Sequence, residues 1–314
     1  MIRACLQSFT LMLTVSLASL AQEGAGTISI RMVDVDARAL AMGGAFVAIA
    51  DNYSASHWNP AGVAKAGGPR VGGMHTNKFG QGINVNLLSG IMPIANFALG
   101  VSFASSSITG IPRIDEEGNE IGTIDSNEIL LMGSVEMALP GLGFVGGSIK
   151  SYSYTLAEER GSGLGFDAGV LIMGLIPNLS VGAVTFGLGG TLGGAKPAWR
   201  TDSVEGVVSD LLVSGLFKVG AAFTLPKVGL TVAADFDFGA EGMSVLHLGA
   251  ELAIAGTPIA MRVGGISAAP GEAPGEVKFT RGAGVILKNL RLDVAFVSNR
   301  VLGGSWVISG EIVF

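Results

Sequence analysis

Apolar side chains recur at every second position in a series of short segments that runs from about residue 69 to the C-terminus. In the segment 228–238 every even-numbered position is apolar, whereas Asp235 and Asp237 lie among the odd-numbered ones. Segments 217–225 and 290–296 alternate in the same way. This period of two is typical of a β-strand with one apolar face. Such strands form either a sandwich in water or a membrane barrel whose apolar face meets lipid.

The number and spacing of these segments favour a barrel. Fourteen segments alternate, at about 69–78, 81–92, 96–105, 127–139, 143–155, 162–174, 178–190, 213–224, 228–238, 243–255, 258–267, 276–287, 289–298 and 304–314. Short turns alternate with longer connections, the longest at 106–126, 191–212 and 268–275. Outer-membrane barrels have an even strand number, short periplasmic turns and longer outer loops. The sequence therefore predicts an all-β fold, a transmembrane antiparallel β-barrel of about 14 strands with both termini on the short-turn side.

Composition narrows the class of protein further. Hydrophobic residues make up 49% of the 314 residues and charged residues only 14%, whereas an ordinary soluble domain carries about 25% charged residues. This excludes an intrinsically disordered chain, which is poor in apolar residues, and a net charge of −6 argues against a nucleic-acid partner. The best candidate for a spanning helix, the uncharged run 168–195, contains Pro177 and several glycines, which argues against a helix there.

The first residues are typical of a secretory signal. Arg3 precedes the largely apolar stretch 6–20, and Ser19-Leu20-Ala21 places small residues where signal peptidase reads them. We therefore expect a signal peptide at 1–21. The single cysteine, Cys5, lies within it, so no disulfide is expected. With the alternating segments, this predicts a protein of the bacterial outer membrane in contact with the lipid bilayer.

Charged residues on the predicted inward face fall into pairs. With turns at 225–228, at 255–258 and after the last loop, the facing pairs are Lys218 with Asp235, Glu251 with Arg262, and Arg291 with Glu311. Opposite charges across an antiparallel pair contribute about 0.2–1 kcal/mol each. We interpret them as lumen charge pairs that stabilise the pairing of neighbouring strands. The alternative is coincidence, since inward positions are where the charges of a barrel must lie.

The segment 22–68 does not alternate and carries the most specific motif. It contains Ala37-Arg38-Ala39-Leu40, Met42-Gly43-Gly44-Ala45-Phe46, Ala50-Asp51 and Trp58-Asn59-Pro60-Ala61-Gly62. These residues resemble the N-terminal region of outer-membrane barrels of the long-chain fatty acid transporter-like (FadL/TodX-type) superfamily, and most closely its PorV/PorQ-type branch. The resemblance implies that this segment folds inside a fourteen-stranded barrel as a plug or hatch. A helical leader outside the barrel is the alternative.

The chain is accordingly divided into a signal peptide at 1–21, a plug at 22–68 and a barrel at 69–314. The candidate plug residues are those of the motif: Gly43, Gly44, Asp51, Trp58, Asn59, Pro60, Ala61 and Gly62. Asn59 is the strongest candidate for a residue that fixes the plug, because its amide can both donate and accept a hydrogen bond.

The last strand ends in Phe314, which resembles the signal that the outer-membrane insertion machinery recognises. Features of catalysis are few. The three histidines, His57, His75 and His247, lack metal-ligand spacing, so neither a metal nor a cofactor is expected. The acidic run 115–120 is typical of a solvated loop, a calcium site being the alternative. No catalytic residues are identified, and we do not expect an enzyme.

Two functions remain open. In the first, a plugged barrel passes hydrophobic, fatty-acid-like molecules across the outer membrane. The molecules would leave the barrel through a gap in its wall at the glycines of 141–147 or 187–194. Alternatively, the resemblance implies a membrane scaffold that holds a partner protein for secretion or surface attachment. Binding of a fatty acid, or capture of a stable protein partner, distinguishes the two.

Overall fold

The computed structural model describes residues 35–157, 159–194, 211–212, 216–238, 244–267, 277–300 and 302–314. Within them the chain forms a closed antiparallel β-barrel with fourteen wall strands, which confirms the predicted fold class. The wall strands are β1 (Arg70–Lys78), β2 (Ile83–Ile94), β3 (Phe97–Ile114), β4 (Glu120–Leu139), β5 (Gly143–Leu156), β6 (Glu159–Met173), β7 (Leu179–Gly194), β9 (Leu216–Leu225), β10 (Leu230–Phe238), β11 (Ser244–Ala253), β12 (Ile259–Ser267), β13 (Val277–Leu287), β14 (Leu290–Asn299) and β15 (Gly303–Val313). The two-residue strand β8 (Leu211–Leu212) pairs with β7. The predicted signal peptide lies outside the described residues.

Each wall strand pairs with its neighbours in the sequence, and one further pairing, between the last strand and the first, closes the cylinder. The last strand β15 pairs with β1 from Arg70↔Val313 to Asn77↔Trp306. Strands β6 and β7 pair with each other, and β7 also pairs with β9. Among the described residues, no helix is long and apolar enough to cross a membrane.

The two faces of the wall have opposite polarity. Val101 and Phe279 point outward and are 67% and 69% exposed, whereas the adjacent Ser102 and Thr280 point inward and are buried. The same alternation follows the other strands, with large apolar side chains on the outside. An apolar exterior and a polar interior are expected for a barrel that stands in lipid.

The predicted long connection at 106–126 is wrong. Strands β3 and β4 remain paired as far as Ile114↔Glu120, so only 115–119 connects them. The segment escaped prediction because it is exposed on both faces, so Ser, Thr and Ile follow one another without alternation. This paired extension is called the β3–β4 hairpin below. Of the other predicted loops, 195–210 and 268–276 lie outside the described residues.

The predicted wall gap at the glycines of 141–147 is also contradicted. Strand β5 is paired with both β4 and β6 from Gly143 onward, so the hydrogen-bond ladder is intact there. The register instead shifts between β6 and β7, on both sides of Phe166. This irregularity faces Gly187, within the second predicted segment, where φ is +71°.

Residues 35–68 fill the interior of the barrel. They contain the short helices α1 (Ala37–Ala41) and α2 (Ala55–Trp58), followed by 3₁₀ helices at Pro60–Gly62 and Ala64–Ala66. The backbone of this segment is held by inward side chains from distant strands, such as Glu136 on β4, Asp235 on β10 and Glu311 on β15. A leader outside the barrel is therefore contradicted for 35–68, which is called the plug below. Residues 22–34, the rest of the predicted plug, lie outside the described residues.

Inward-facing glycines of the wall allow the plug backbone to approach it closely. A Cβ atom at Gly182 would lie 2.6 Å from the carbonyl oxygen of Val47, which is closer than real contacts allow. A Cβ atom at Gly264 would overlap the backbone nitrogen of Gly43. Part of the high glycine content of this chain therefore serves the contact between plug and wall.

Candidate functional site in the barrel lumen

Asn59 joins the plug to the barrel wall. Its side-chain nitrogen donates to the carbonyl of Val47 at 3.0 Å and to that of Val170, on β6, at 3.1 Å. Its side-chain oxygen accepts the backbone N–H of Ala61 at 3.0 Å. Asn59 is fully buried, and Pro60 begins a 3₁₀ helix directly after it. Both ends of the amide are thus satisfied by backbone groups of the plug and the wall.

Asp36 is a second node of the plug, which the sequence analysis did not select. One carboxylate oxygen accepts the N–H of Arg38, at the start of α1, and the hydroxyl of Ser309 on β15. The other oxygen accepts from Asn52 and Ser54. An Asp before a helix is a common N-cap, and this was the available signal. Its wall partner was not visible in the sequence because Ser309 is 273 residues away.

A chain of buried charges runs from the plug into the wall. Arg38 forms an ion pair with Asp51 in the plug. It also pairs with Glu251 on β11, where its Nε atom lies 2.8 Å from a carboxylate oxygen. Glu251 lies opposite Arg262 in the strand register and accepts from it at 2.6 Å, and Arg262 reaches Asp293 at 2.7 Å. Burial alone would raise the pKa of Asp51, but the Arg38 guanidinium and the Lys65 ammonium together outweigh burial and hold this pKa below the ordinary 3.8.

The expected pairing of Lys218 with Asp235 is wrong by two residues. Lys218 lies opposite Asp237, and their side chains are 3.0 Å apart. The turn takes four residues, 226–229, and not two, because Leu225 pairs with Leu230. A shift of two residues preserves the face of every side chain, so Lys218 remains in the lumen.

Asp235 binds the plug instead. One carboxylate oxygen accepts the backbone N–H groups of Phe46 and Val47, at 2.7 and 2.9 Å. The carboxylate is buried, and charge-assisted hydrogen bonds of this kind are stronger than neutral ones. Asp235 therefore anchors the middle of the plug to β10.

Arg291 and Glu311 lie opposite each other on β14 and β15, but their side chains form no ion pair. The Glu311 carboxylate accepts the N–H of Tyr53, in the plug, at 2.7 Å and contacts the Arg70 guanidinium at 3.2 Å. Within the described residues, Arg291 has neither a hydrogen bond nor an ion pair.

The remaining motif residues pack inside the plug or against the wall. Gly43 and Gly44 have φ angles of +67° and +76°, which favour glycine, and the Gly43 carbonyl lies 2.7 Å from Nδ1 of His247. The Trp58 ring packs edge-on against Phe46, with ring centroids 5.9 Å apart. Gly62 lies so close to the backbone of the preceding loop that a side chain would overlap it.

A cavity of about 410 Å³ lies above the plug, on the side of the long connections. Its apolar lining includes Val35, Leu40, Trp58, Leu130, Phe186 and Leu216. Its charged lining includes Lys78, Lys150, Lys218, Lys278 and Asp237. A concave apolar site with a few polar groups is the usual form of a small-molecule site, and this one has an excess of positive charge.

Two of these lysines stand beside aromatic rings at the edge of the cavity. The Lys150 ammonium is 2.5 Å from Asp167 and 5.2 Å from the ring centroid of Phe186. The Lys218 ammonium is 5.6 Å from the ring centroid of Trp58. Each lysine is therefore held at the boundary between polar and apolar surface.

His57 contributes an uncharged polar group to the same cavity. Burial, followed by the nearby Lys150 ammonium, lowers the pKa of His57 from its ordinary 6.5 to about 3. Its Nε2 atom is buried and has no hydrogen-bond partner. No group of three or more His, Cys, Asp or Glu suited to a metal ion occurs in the described part of the chain.

Comparison with solved structures identifies the fold. The toluene transporter TbuX of Ralstonia pickettii superposes with a TM-score of 0.61 at 15% identity, over 89% of this chain and 98% of that one. The monoaromatic hydrocarbon channel CymD superposes with a TM-score of 0.65 at 15% identity, over 90% and 98%. A FadL homologue of Pseudomonas aeruginosa superposes with a TM-score of 0.57 at 11% identity, over 87% and 96%.

The fold is that of FadL/TodX-type outer-membrane barrels. It is a fold of the bacterial outer membrane, which confirms the predicted location. No protein-family model and no curated protein match the sequence. The finer resemblance to the PorV/PorQ-type branch stays a prediction.

Phe314 follows the last strand and is 76% exposed on the outer surface. Its backbone N–H donates to the carbonyl of Pro69, before β1, at 2.8 Å. The end of the chain is thus fixed at the β1–β15 closure, and its role as an assembly signal stays a prediction.

Proposed function

We propose that this protein passes apolar small molecules with an anionic end, of the fatty-acid type, across the outer membrane. The observation that carries the proposal is the cavity above the plug, which combines an apolar floor with four lysines and one aspartate. The folds compared above belong to proteins described as hydrocarbon channels and transporters. No catalytic role is proposed for any residue.

The lining suits the two ends of such a molecule. Each methylene that leaves water for the apolar surface contributes about 0.8 kcal/mol. The ammonium of Lys218, which stands above Trp58, is placed to pair with a carboxylate while the alkyl chain lies on the ring. The Lys218–Asp237 pair would then exchange part of its contact for the ligand.

A route out of the cavity is suggested by the irregular ladder between β6 and β7. Phe186 and Gly187 line the cavity, and the register shifts lie on the neighbouring strand on both sides of Phe166. Backbone groups that lack regular partners make a strand pair easier to open than a continuous ladder. We therefore place the wall gap here and not at 141–147.

Fluorescence quenching of Trp58 by a brominated ligand tests the binding step. In uncharged detergent, 12-bromododecanoate should quench the Trp58 signal with about tenfold higher affinity than 12-bromododecanol, because a charge-assisted hydrogen bond contributes about 1.5–3 kcal/mol. The Trp58→Phe variant identifies the signal. Lys218→Met should remove the preference for the acid, whereas Lys227→Met, in an exposed turn, should keep it. Equal affinity for acid and alcohol in the wild-type protein would reject the anionic class.

The β3–β4 hairpin favours a second candidate function, that of a PorV-like scaffold for a secretion partner. It extends beyond neighbouring strands and exposes Ile114 and Ile121, which are 54% and 56% exposed. Replacement of 109–124 by a short turn should then abolish capture of a partner protein without changing Trp58 quenching. Unchanged capture by the shortened barrel would reject this surface.

A further inference from the structure

A second cavity, of about 230 Å³, lies below the plug at the short-turn rim of the barrel. It is lined by Asp51 from the plug, Arg70 and Glu311 from the β1–β15 closure, and Lys288, Asn289 and Arg291 from the β13–β14 turn and its flank. This is called the rim cavity below. It lies on the opposite side of the plug from the cavity of the proposed function.

The two carboxylates of the rim cavity already have cationic partners. Asp51 pairs with Arg38, and the Asp51 carbonyl also accepts from Arg70. Glu311 pairs with Arg70 and accepts the N–H of Tyr53. Neither carboxylate therefore supplies a hydrogen bond or an ion pair to Arg291.

Arg291 is consequently a partly buried guanidinium that makes no direct hydrogen bond or ion pair among the described residues, although the charges of Asp293, Glu251 and Asp51 lie near it. The residue opposite it in the register is Glu311, whose carboxylate accepts a hydrogen bond from the plug at Tyr53. Lys288, which also lines the rim cavity, is exposed and likewise has no ion pair in the described part of the chain. The guanidinium donors of Arg291 that lack direct partners are therefore available to a bound anion.

We propose that the rim cavity binds a compact oxyanion, a carboxylate or a phosphate, through Arg291, Lys288 and the amide of Asn289. A guanidinium binds such groups through two parallel hydrogen bonds, and a nearby ammonium adds charge. Two sources supply this chemistry, namely the carboxylate of a small amphiphile and the phosphate of a phospholipid headgroup in the periplasmic leaflet. The site does not depend on transport through the barrel.

Nuclear magnetic resonance of the arginine side chains tests the site directly. The protein is labelled with ¹⁵N-arginine in dodecyl maltoside, and the Arg291 Nε–H signal is assigned by its loss in Arg291→Gln. Octanoate, inorganic phosphate and dihexanoyl phosphatidylglycerol are titrated separately, with octanol as the uncharged control. The Arg291 signal should shift saturably with at least one oxyanion and not with octanol.

Variants connect the shift to the proposed residues. Lys288→Gln should weaken the binding about tenfold, whereas Lys227→Gln, in a different exposed turn on the same rim, should leave it unchanged. A response to octanoate alone identifies the amphiphile as the source, and a response to phosphate and the phospholipid identifies the headgroup. Absence of a saturable shift with all three oxyanions, or an equal shift with octanol, would overturn the proposal. Because the readout is local to Arg291, a failure of the proposed transport function, tested by Trp58 quenching, leaves this result unaffected.

Discussion

At the scale of single residues, Asn59 is the clearest link between plug and wall. Its three hydrogen bonds are made in a buried position, where a group left without partners costs about 1–3 kcal/mol. Asn59→Ala should therefore loosen the plug but leave the barrel folded, because the wall ladder does not involve this side chain. Single-channel conductance in planar bilayers should rise. Asn119→Ala, in the exposed β3–β4 connection, is the control, and unchanged conductance in Asn59→Ala would refute the role.

His57 should make docking of the plug sensitive to pH. Its folded-state pKa of about 3 lies below its ordinary 6.5, so the undocked plug binds the proton more tightly. The contribution of His57 is complete above pH 6.5 and is lost as the pH falls toward 3, by up to about 1.4 kcal/mol per pH unit. Asp51, whose pKa lies below 3.8, stays charged between pH 5 and pH 7.5.

Conductance measured at pH 7.5 and pH 5 checks this expectation. The wild-type protein should conduct more at pH 5, and His57→Gln should remove most of the difference. His75→Gln, at an exposed position on β1, should retain it. A wild-type conductance that does not change with pH would contradict the assignment to His57.

The sequence pointed to Asn59 through a local motif, since an Asn before a Pro is recognisable from two adjacent letters. Arg38 belonged to the same motif but was not selected, because its wall partner Glu251 is 213 residues away. Lys218 was placed on the correct face but beside the wrong aspartate. The hydrophobic pattern specifies the face of each side chain, whereas the length of the turn sets the register of the strands. A motif of adjacent residues can therefore be recognised in the sequence, whereas contacts between the plug and distant wall strands cannot.

At the scale of elements, close contact between plug and wall depends on inward glycines. Gly264→Ala should displace the plug, because the new Cβ atom would overlap the Gly43 backbone. Gly90→Ala is the matched control, since its nearest neighbours would be 3.7 Å away. Hydrogen exchange of the plug amides should increase in the first variant only. Equal protection in both variants would show that the plug does not need this approach.

The orientation of the strands makes a further prediction. Val294 faces outward at mid-strand on β14. Thr231 faces inward, and its hydroxyl oxygen lies 3.2 Å from that of Thr224. Val294→Arg should lower the free energy of unfolding in phospholipid vesicles by about 2–4 kcal/mol, the cost of a cation near the bilayer midplane. Thr231→Arg should cost less. Equal costs measured by urea titration would reject the assignment of the two faces.

Period-two alternation located the wall strands because each of them has lipid on one side and a polar lumen on the other. The same signal failed in the β3–β4 hairpin, where neither face is buried and the pattern carries no information. It also suggested a break at Gly143 that is absent, since glycine there serves close packing and not weak pairing.

At the scale of the whole molecule, the plug closes the barrel below the cavity and forms the floor of that cavity. The plug is fixed to the wall by Asn59, Asp235 and Glu311 on different sides. Under the proposed function, a ligand in the cavity would rest on this fixed surface, and we expect it to leave through the wall more readily than through the plug. We propose above all that this cavity is the path of an apolar anion.

Uptake of radiolabelled dodecanoate by cells that lack their own fatty-acid transporter tests this claim most directly. Leu130 lines the cavity, whereas the next residue, Leu131, faces lipid and is 52% exposed. The wild-type protein should restore uptake, Leu131→Trp should preserve it, and Leu130→Trp, which fills the cavity, should reduce it about tenfold. No uptake with the wild-type protein, or equal uptake with both tryptophan variants, would contradict the claim.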